Sequence, residues 1–272
     1  MPEKRGRKLD RYLLNMQRRQ KRMRLAILSV AMVAILVVAV VALTVWGGGQ
    51  PKGGGSVAIV DMFYSQSPNF TDQAVATLQA HGISYYVYKD SEVNVNLYRN
   101  LPTFGYKLII LRVHVGISEG SGQPAFLFTA ENYSTGKYPV EQLSDQIQPG
   151  VINLATKENP VFSIGPGFVA DAMNGNFRGA TVIISGCYGQ QNTLLADAFL
   201  KRNATSVIGW DGLVTLDHTD EAVQVMLALI VDGHGVNQSV YEAQAEVGPD
   251  PAYNSTLSIV SALAQDYVLK LP

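Results

Sequence analysis

Two glycine-containing motifs carry the residue types that nucleophilic catalysis needs. His114 follows the apolar run Lys107–Val113 (KLIILRV), and Cys187, the single cysteine of the chain, follows Thr181–Ser185 (TVIIS). A thiol attacks a carbonyl carbon when an imidazole takes its proton, and backbone N–H groups near glycine can hold the resulting oxyanion. We therefore predict a Cys187–His114 dyad, with the N–H groups of Cys187 and Gly116 as oxyanion donors.

The elements that would position these motifs are short runs rich in Val and Ile that alternate with helix-like stretches. We predict strands at Ser56–Val60, Ile83–Tyr88, Lys107–Val113, Thr181–Ser185 and Ser206–Gly209, and helices at Thr71–Ala80, Asn192–Lys201 and Thr219–Val231. This alternation predicts an α/β fold with a mainly parallel sheet and helices on both faces. Ligands bind such sheets at the carboxyl ends of the strands, where both motifs lie.

Two segments fit this alternation less well. Gly120–Asn159 contains several prolines and two weak patterns, so we interpret it as an insertion or hairpin-bearing segment on the rim of the sheet. The stretch from Ser255 is ambiguous between strand and helix. The position of Cys187 ahead of the predicted helix at Asn192 also suggests that a helix N-terminus lowers the pKa of the thiol.

Another interpretation of the two motifs stays open. A lone cysteine is often a small buried apolar residue, and a histidine at a strand end can simply hydrogen-bond a carbonyl group.

The segments IILRVHVG and VIISGCYG resemble the His and Cys signatures of caspase-like cysteine peptidases, the clan of metacaspases, gingipains and CHAT domains. The chain that follows, to Glu246, is similar to the helix, strand and long helix of the CHAT and gingipain proteins. The resemblance covers roughly Ser56–Glu246. It implies a sheet ordered 2-1-3-4-5-6, with His114 after the third strand and Cys187 after the fourth.

The sequence departs from that family at three points. Val115 stands directly after the histidine, where the family usually has glycine, which leaves open which amide serves the oxyanion. Ser185 stands where metacaspases carry the acid that binds a basic substrate side chain, so a preference for Arg or Lys is not implied. The spacing between His114 and Cys187 is longer than in most caspases, which is consistent with the insertion.

Several other polar residues have two interpretations each. Asp61, just past the first strand, either orients the His114 imidazole or caps the turn that follows. Trp210 and Asp211 would line a substrate pocket together with Ser185, although Asp211 is also typical of a turn.

The group Asp217, His218 and Asp220 has the composition of a metal site. An N-cap at Asp217 or Thr219 with acids in the first helical turn explains it more simply. No metal and no cofactor are predicted, because no multi-Cys site, phosphate loop or glycine-rich dinucleotide loop is present in the sequence.

The N-terminal part of the chain has the pattern of a membrane anchor. Residues 1–24 hold ten Lys or Arg against two acids, and Leu25–Trp46 is apolar throughout except for two hydroxyl side chains. At 1.5 Å per residue this helix would be roughly 33 Å long, enough for the hydrocarbon core. We predict a cytoplasmic tail (1–24), a transmembrane helix (25–46), a glycine-rich linker (47–55) and an extracytoplasmic domain (56–272).

A signal peptide is the alternative to an anchor, but the apolar run is long for one and no clean cleavage site follows. Since the excess of basic over acidic residues is confined to the tail, no nucleic-acid partner is expected. Five N-x-Ser/Thr sites agree with an exported, glycosylated surface; they lie at Asn69, Asn132, Asn203, Asn237 and Asn254.

Three functions remain in view at this point. The first is a membrane-anchored extracytoplasmic cysteine peptidase that cleaves peptide or protein substrates. The second is a catalytically inactive ectodomain of the same fold that acts as a binding or surface-structural module. The third is a different acyl-transfer enzyme, such as an amidase or a transpeptidase-like processor of surface proteins.

Overall fold

A six-stranded sheet is the frame of the chain in the computed structural model, which describes residues 56–117, 122–152 and 159–272. All of these belong to one unit, Lys52–Pro272. The predicted tail, membrane segment and linker lie outside the described residues. Within the described ranges, no helix has the length and apolar character that crossing a membrane requires.

The strands are β1 Val57–Asp61, β2 Tyr85–Lys89, β3 Leu108–Arg112, β4 Val115–Ile117, β5 Ala125–Asn132, β6 Ile147–Gly150, β7 Val161–Ile164, β8 Thr181–Ser185, β9 Ser206–Trp210 and β10 Leu257–Ser261. The α-helices are α1 Asn69–Ala80, α2 Val95–Asn100, α3 Pro139–Leu143, α4 Leu194–Lys201, α5 Leu216–Val231 and α6 Val236–Val247. Short 3₁₀ turns at Asp90–Glu92 and Leu101–Thr103 and a π-helical turn at Phe168–Ala172 complete the description.

The main sheet has the order β10-β9-β8-β3-β1-β2, which is the predicted 2-1-3-4-5-6 when its strands are numbered alone. Neighbouring strands are parallel except β10, which is antiparallel to β9. The predicted α/β fold with a mainly parallel sheet is therefore confirmed. The register aligns the carboxyl ends of the two central strands, because Arg112 of β3 lies beside Ser185 of β8.

Side chains alternate between the two faces of the sheet and form two apolar clusters. Val57 and Ile59 of β1 face a cluster that includes residues of α1, α5 and α6. Ala58 and Val60 face a second cluster with residues of α2 and α4. Helices therefore cover both faces, and every residue of β1, β3, β8 and β9 is buried. Continuous apolar runs are what a sheet buried on both faces requires.

The predicted insertion is a second sheet, with the order β4-β5-β7-β6 and antiparallel pairing throughout. Its apolar residues join the cluster on the α2 and α4 face. Pro149 lies in β6, an edge strand, where a residue without an N–H group is tolerated. One of the two weak patterns of this segment, Val140–Ile147, is divided between α3 and the first residue of β6.

Two other segments complete the comparison with the sequence pattern. The ambiguous C-terminal stretch forms the edge strand β10. Helix α6 was not predicted from the sequence. Its buried residues Val236, Ser239, Val240 and Ala243 have the 3, 4 and 7 spacing of an apolar helix face.

Candidate active site

A cavity of about 180 Å³ opens at the carboxyl edge of the main sheet. Each of the parallel strands β1, β3, β8 and β9 contributes the residues that follow it. His114 lies after β3 and Cys187 after β8, and both line this cavity. The structure therefore brings the two predicted catalytic residues to one site.

His114 sits between the two sheets. Its backbone N–H donates to Met62 Sδ at 3.1 Å, and its carbonyl oxygen accepts from Phe128 N–H at 2.9 Å. The edge-on ring of Phe63 lies 4.6 Å from the imidazole, measured between centroids. The backbone bonds and this ring contact hold the half-buried imidazole at the wall of the cavity.

Cys187 is half-buried and bonded to the loop after β9. Val214 N–H donates to the sulfur at 3.5 Å, and the thiol donates to the Val214 carbonyl oxygen at 3.5 Å. Burial raises the pKa of the Cys187 thiol above its ordinary value, and the hydrogen bonds with Val214 only partly offset this effect. The predicted lowering of this pKa is wrong: the pKa is raised, and desolvation of the thiolate is the largest cause.

The loop that presents Cys187 has a constrained backbone. Gly186 passes so close to β3 that an added Cβ would collide with the carbonyl oxygen of Val113. Tyr188 has a left-handed conformation with φ of 57°, and its N–H donates to Gly212 at 2.7 Å. A non-glycine residue in this region is strained, and strained residues cluster at functional sites. The backbone of Cys187 is therefore held in place by the constrained residues on either side of it, Gly186 and Tyr188.

The position of Gly116 in the second sheet does not favour the role of oxyanion donor that the sequence predicts for it. It lies in β4, opposite Phe126 of β5. Hydrogen-bonded pairs alternate along an antiparallel ladder, and His114 with Phe128 is one such pair, so Gly116 with Phe126 is the next. Its N–H is therefore used in the sheet. The N–H of Cys187 has no carbonyl acceptor among the described residues and remains the candidate donor.

Asp61 caps the turn after β1 and does not orient the imidazole. Its carboxylate accepts from Phe63 N–H at 2.8 Å and from the Thr71 hydroxyl at 2.7 Å. Arg112 donates to the same carboxylate at 2.9 Å, and both side chains are fully buried. Phe63, whose N–H this carboxylate accepts, is the residue whose ring contacts His114.

Of the predicted substrate-pocket residues, Ser185 lines the cavity, whereas Trp210 and Asp211 do not. Trp210 is fully buried in the core beneath α5, and its indole N–H donates to Thr219 Oγ1 at 2.9 Å. Asp211 accepts from the N–H and the hydroxyl of Thr256 at 2.7 and 2.8 Å. This acid therefore fixes the chain before β10, as its interpretation as a turn residue expected.

The remaining wall of the cavity comes from residues that the sequence analysis did not single out: Phe63, Val113, Gly186, Val214, Leu216 and Thr219. Their signal was their position, since Phe63 and Val214 follow β1 and β9 on the same sheet edge. Loop conformation decides which of the residues after a strand turn toward the cavity. Sequence position therefore indicates which loops border the cavity, but not which of their residues line it.

The acids at the start of α5 have structural partners. Asp220 bonds to Arg112 through both carboxylate oxygens, at 2.8 and 2.7 Å. His218 packs against Trp210 and contacts the Gly248 carbonyl oxygen at 3.1 Å through Nε2. The N-cap position is Thr215, so the helix begins earlier than predicted and Asp217 lies in its first turn.

Four of the five glycosylation candidates are exposed, namely Asn69, Asn132, Asn203 and Asn254. Asn237 is half-buried at the start of α6. Its backbone N–H donates to Asp266 at 2.7 Å, and its side-chain oxygen is buried with no hydrogen-bond partner among the described residues.

No family model matches this chain, and no curated protein matches it. Among solved structures, a flavodoxin of Streptococcus pneumonia TIGR4 is similar to it with a TM-score of 0.29 and 13% sequence identity. The match covers 63% of this chain and 92% of the flavodoxin. A similarity at this level carries no inference about function.

Proposed function

We propose that this chain is a membrane-anchored extracytoplasmic cysteine peptidase of the caspase-like clan, with Cys187 as nucleophile and His114 as general base. The observation that carries the proposal is that both side chains line one cavity at the carboxyl ends of adjacent parallel strands. The observed strand order agrees with the resemblance drawn from the two sequence motifs.

The reaction would proceed through a thioester. His114 takes the proton of Cys187 as the sulfur bonds to the scissile carbonyl carbon, and the carbonyl π electrons move to the oxygen near the Cys187 N–H. The adduct collapses with cleavage of the C–N bond, and the imidazole returns the proton to the leaving amine. Water then hydrolyses the thioester, releasing a carboxylic acid and restoring the thiol.

The hydrogen bonds of the resting thiol must change before this mechanism can begin. The thiol proton is directed to the Val214 carbonyl oxygen, and burial favours the neutral thiol. Attack therefore requires the sulfur to exchange this partner for the imidazole when substrate enters. Substrate would also exclude water, which strengthens the interaction between thiolate and imidazolium.

The decisive test is hydrolysis of a peptide library by the full chain in detergent or vesicles. We expect Cys187→Ala and His114→Ala each to lower kcat/KM by at least about 100-fold, as loss of a nucleophile or base does. The thermal midpoint should change little, and His81→Ala, at an exposed histidine, is the matched control. Unchanged hydrolysis in Cys187→Ala would refute the proposal.

A catalytically inactive binding module is the second candidate. It is favoured by the bonds between the thiol and both backbone groups of Val214, which are also typical of a structural cysteine. Because Cys187 is the single cysteine, iodoacetamide labelling reports on this site alone. A native protein that resists labelling and hydrolyses no peptide would favour the module.

The acyl-transfer alternative gives a different product. If an added amine intercepts the thioester, the assay yields a new amide in place of the carboxylic acid. Mass spectrometry of the products in the presence of a primary amine separates the two reactions.

The membrane anchor and its orientation are proposed from residues 1–55 of the sequence. Carbonate extraction should leave the chain in the membrane fraction. Protease added outside intact cells should degrade the 56–272 domain and spare a tag on the N-terminus. A protected domain would reverse the proposed topology.

A further inference from the structure

The wall of the cavity is largely apolar, and the two hydroxyl groups on it are hydrogen-bonded to each other. Phe63, Val113, Val214 and Leu216 supply hydrocarbon surface. The hydroxyl groups of Ser185 and Thr219 are 3.2 Å apart, and the latter also accepts the Trp210 indole N–H. A polar substrate side chain would find few unsatisfied partners there.

Apart from His114 and Cys187, no acidic or basic side chain lines this cavity in the described part of the chain. The ionic groups nearest to it are satisfied elsewhere. The Arg112 guanidinium is held by Asp61 and Asp220. The carboxylate of Asp250 accepts from the N–H and hydroxyl of Thr215, both at 2.8 Å, and from two backbone amides of its own loop.

The size of the cavity suits a bulky hydrocarbon group. Its volume of about 180 Å³ exceeds the roughly 150 Å³ of an apolar protein cavity that holds benzene. The wall therefore has room for an aromatic ring or a branched aliphatic chain. A charged side chain of similar length would lose its hydration without gaining a partner.

Resting on the proposed function, we propose that this peptidase cleaves after an uncharged apolar residue, aromatic or branched aliphatic, whose side chain fills the cavity beside Cys187 and His114. The preference follows from the chemistry of the wall, whose described residues include no carboxylate to pair with Arg or Lys and no Lys or Arg to pair with Asp. The substrate class is thus polypeptide with Phe or Leu before the scissile bond.

The test uses the full chain and fluorogenic peptides that differ only in the residue before the scissile bond, Phe, Leu, Arg or Asp. We expect kcat/KM for Phe or Leu to exceed that for Arg and Asp by at least about 100-fold. Faster hydrolysis after Arg or Asp would overturn the substrate class while leaving the peptidase proposal intact.

A designed change of preference sharpens the test. Leu216 is the first residue of α5, where an acid is compatible with the helix dipole, so Leu216→Asp places a carboxylate on the cavity wall. We expect it to raise the Arg-to-Phe ratio of kcat/KM by at least about tenfold. Leu194→Asp, at the first residue of α4 and outside the cavity, should leave the ratio unchanged. An unchanged ratio in Leu216→Asp would contradict the assignment of this cavity.

Binding measurements separate failure of the inference from failure of the proposed function. Cys187→Ala protein is titrated with N-acetyl-phenylalanine amide and N-acetyl-arginine amide, and binding is followed by chemical-shift changes. Selective binding of the phenylalanine compound without hydrolysis of any peptide by the unmodified protein would support the cavity chemistry and refute the peptidase. Selective binding of the arginine compound, or of neither, would overturn the inference.

Discussion

Desolvation raises the pKa of the Cys187 thiol and hydrogen bonding lowers it, and desolvation is the larger effect. The neutral thiol is therefore the resting form at neutral pH. If Cys187 is the proposed nucleophile, its thiolate would form only when the base and the substrate are in place.

This environment predicts the pH dependence of alkylation. The rate of iodoacetamide labelling should rise about tenfold per pH unit through the neutral range and level off above the ordinary cysteine pKa of about 8.5. Mass spectrometry of the labelled chain measures it, with N-acetylcysteine as the reference thiol. A plateau already reached at neutral pH would show that burial does not control this thiol.

Arg112 predicts the largest stability effect at the residue scale. Its fully buried guanidinium bonds to Asp61 and Asp220, so its removal leaves two acids near the core without their cation. We expect Arg112→Met to lower the free energy of unfolding by about 3–5 kcal/mol. Urea denaturation measures the change.

The matched control is Arg178→Met, at an exposed arginine, which should change stability by less than about 0.5 kcal/mol. Equal effects in the two variants would mean that the buried ion pairs contribute little.

At the scale of elements, the site depends on how closely the end of β8 approaches the end of β3. The packing at Gly186 is incompatible with a side chain because the Val113 carbonyl oxygen occupies that space. We expect Gly186→Ala to lower the free energy of unfolding by about 1–3 kcal/mol, in the range of overpacking, and to reduce Cys187-dependent hydrolysis. Thermal unfolding and kcat/KM are the two measurements.

Gly136→Ala is the control for this substitution. The nearest atom to its Cβ would be the Ser134 hydroxyl oxygen at 3.8 Å, so stability and hydrolysis should both be retained. A Gly186→Ala protein that behaves like the control would show that the two loops can move apart freely.

A contact between two helix ends predicts a second pH effect. His81, after α1, bonds to the Thr77 carbonyl oxygen at 2.8 Å and to Asp232, after α5, at 3.0 Å. The Thr77 carbonyl and, next, the Asp232 carboxylate raise the pKa of His81 above its ordinary value of 6.5. The stabilisation is fully present below pH 6.5 and is lost as pH rises through the higher pKa of the folded state.

NMR titration of the imidazole protons should therefore give a lower pKa in Asp232→Asn than in the unmodified chain. Asp197→Asn, an exposed acid on α4, should leave the titration unchanged. An identical His81 titration in all three proteins would exclude the contact in solution.

At the scale of the whole molecule, the exposed surface predicts where glycans can be attached if the domain is exported. The sugar is attached to the side-chain amide nitrogen, so at Asn237 it would have to fit beside a buried side-chain oxygen, whereas the exposed Asn69, Asn132, Asn203 and Asn254 present no such obstacle. We expect glycopeptide mass spectrometry of folded, secreted protein to find modification at one or more of these four sites and none at Asn237. A fully occupied Asn237 would contradict the described environment.

The strands of the main sheet could be predicted because their signal is local. β1, β3, β8 and β9 are buried on both faces, which requires a nearly continuous apolar run that the sequence displays directly. The placement of His114 and Cys187 at strand ends follows from the same runs. The second sheet was harder to predict because β4 and β6 are only three and four residues long, too short to show a clear alternation of apolar and polar residues.

What the sequence by itself determined is the five parallel strands of the main sheet, the α/β class and the two strand ends that carry an imidazole and a thiol. Only the tertiary structure decided which groups lie next to these strand ends and which hydrogen bonds and ion pairs those groups form. Pairing of β4 with β5 uses the Gly116 N–H. Arg112 bonds both to Asp61 and to Asp220, which lies 108 positions after Arg112 in the chain. Hydrophobic periodicity can be recognised within a short stretch of sequence. Hydrogen-bond and ion-pair partners depend instead on how separate segments pack together in the fold.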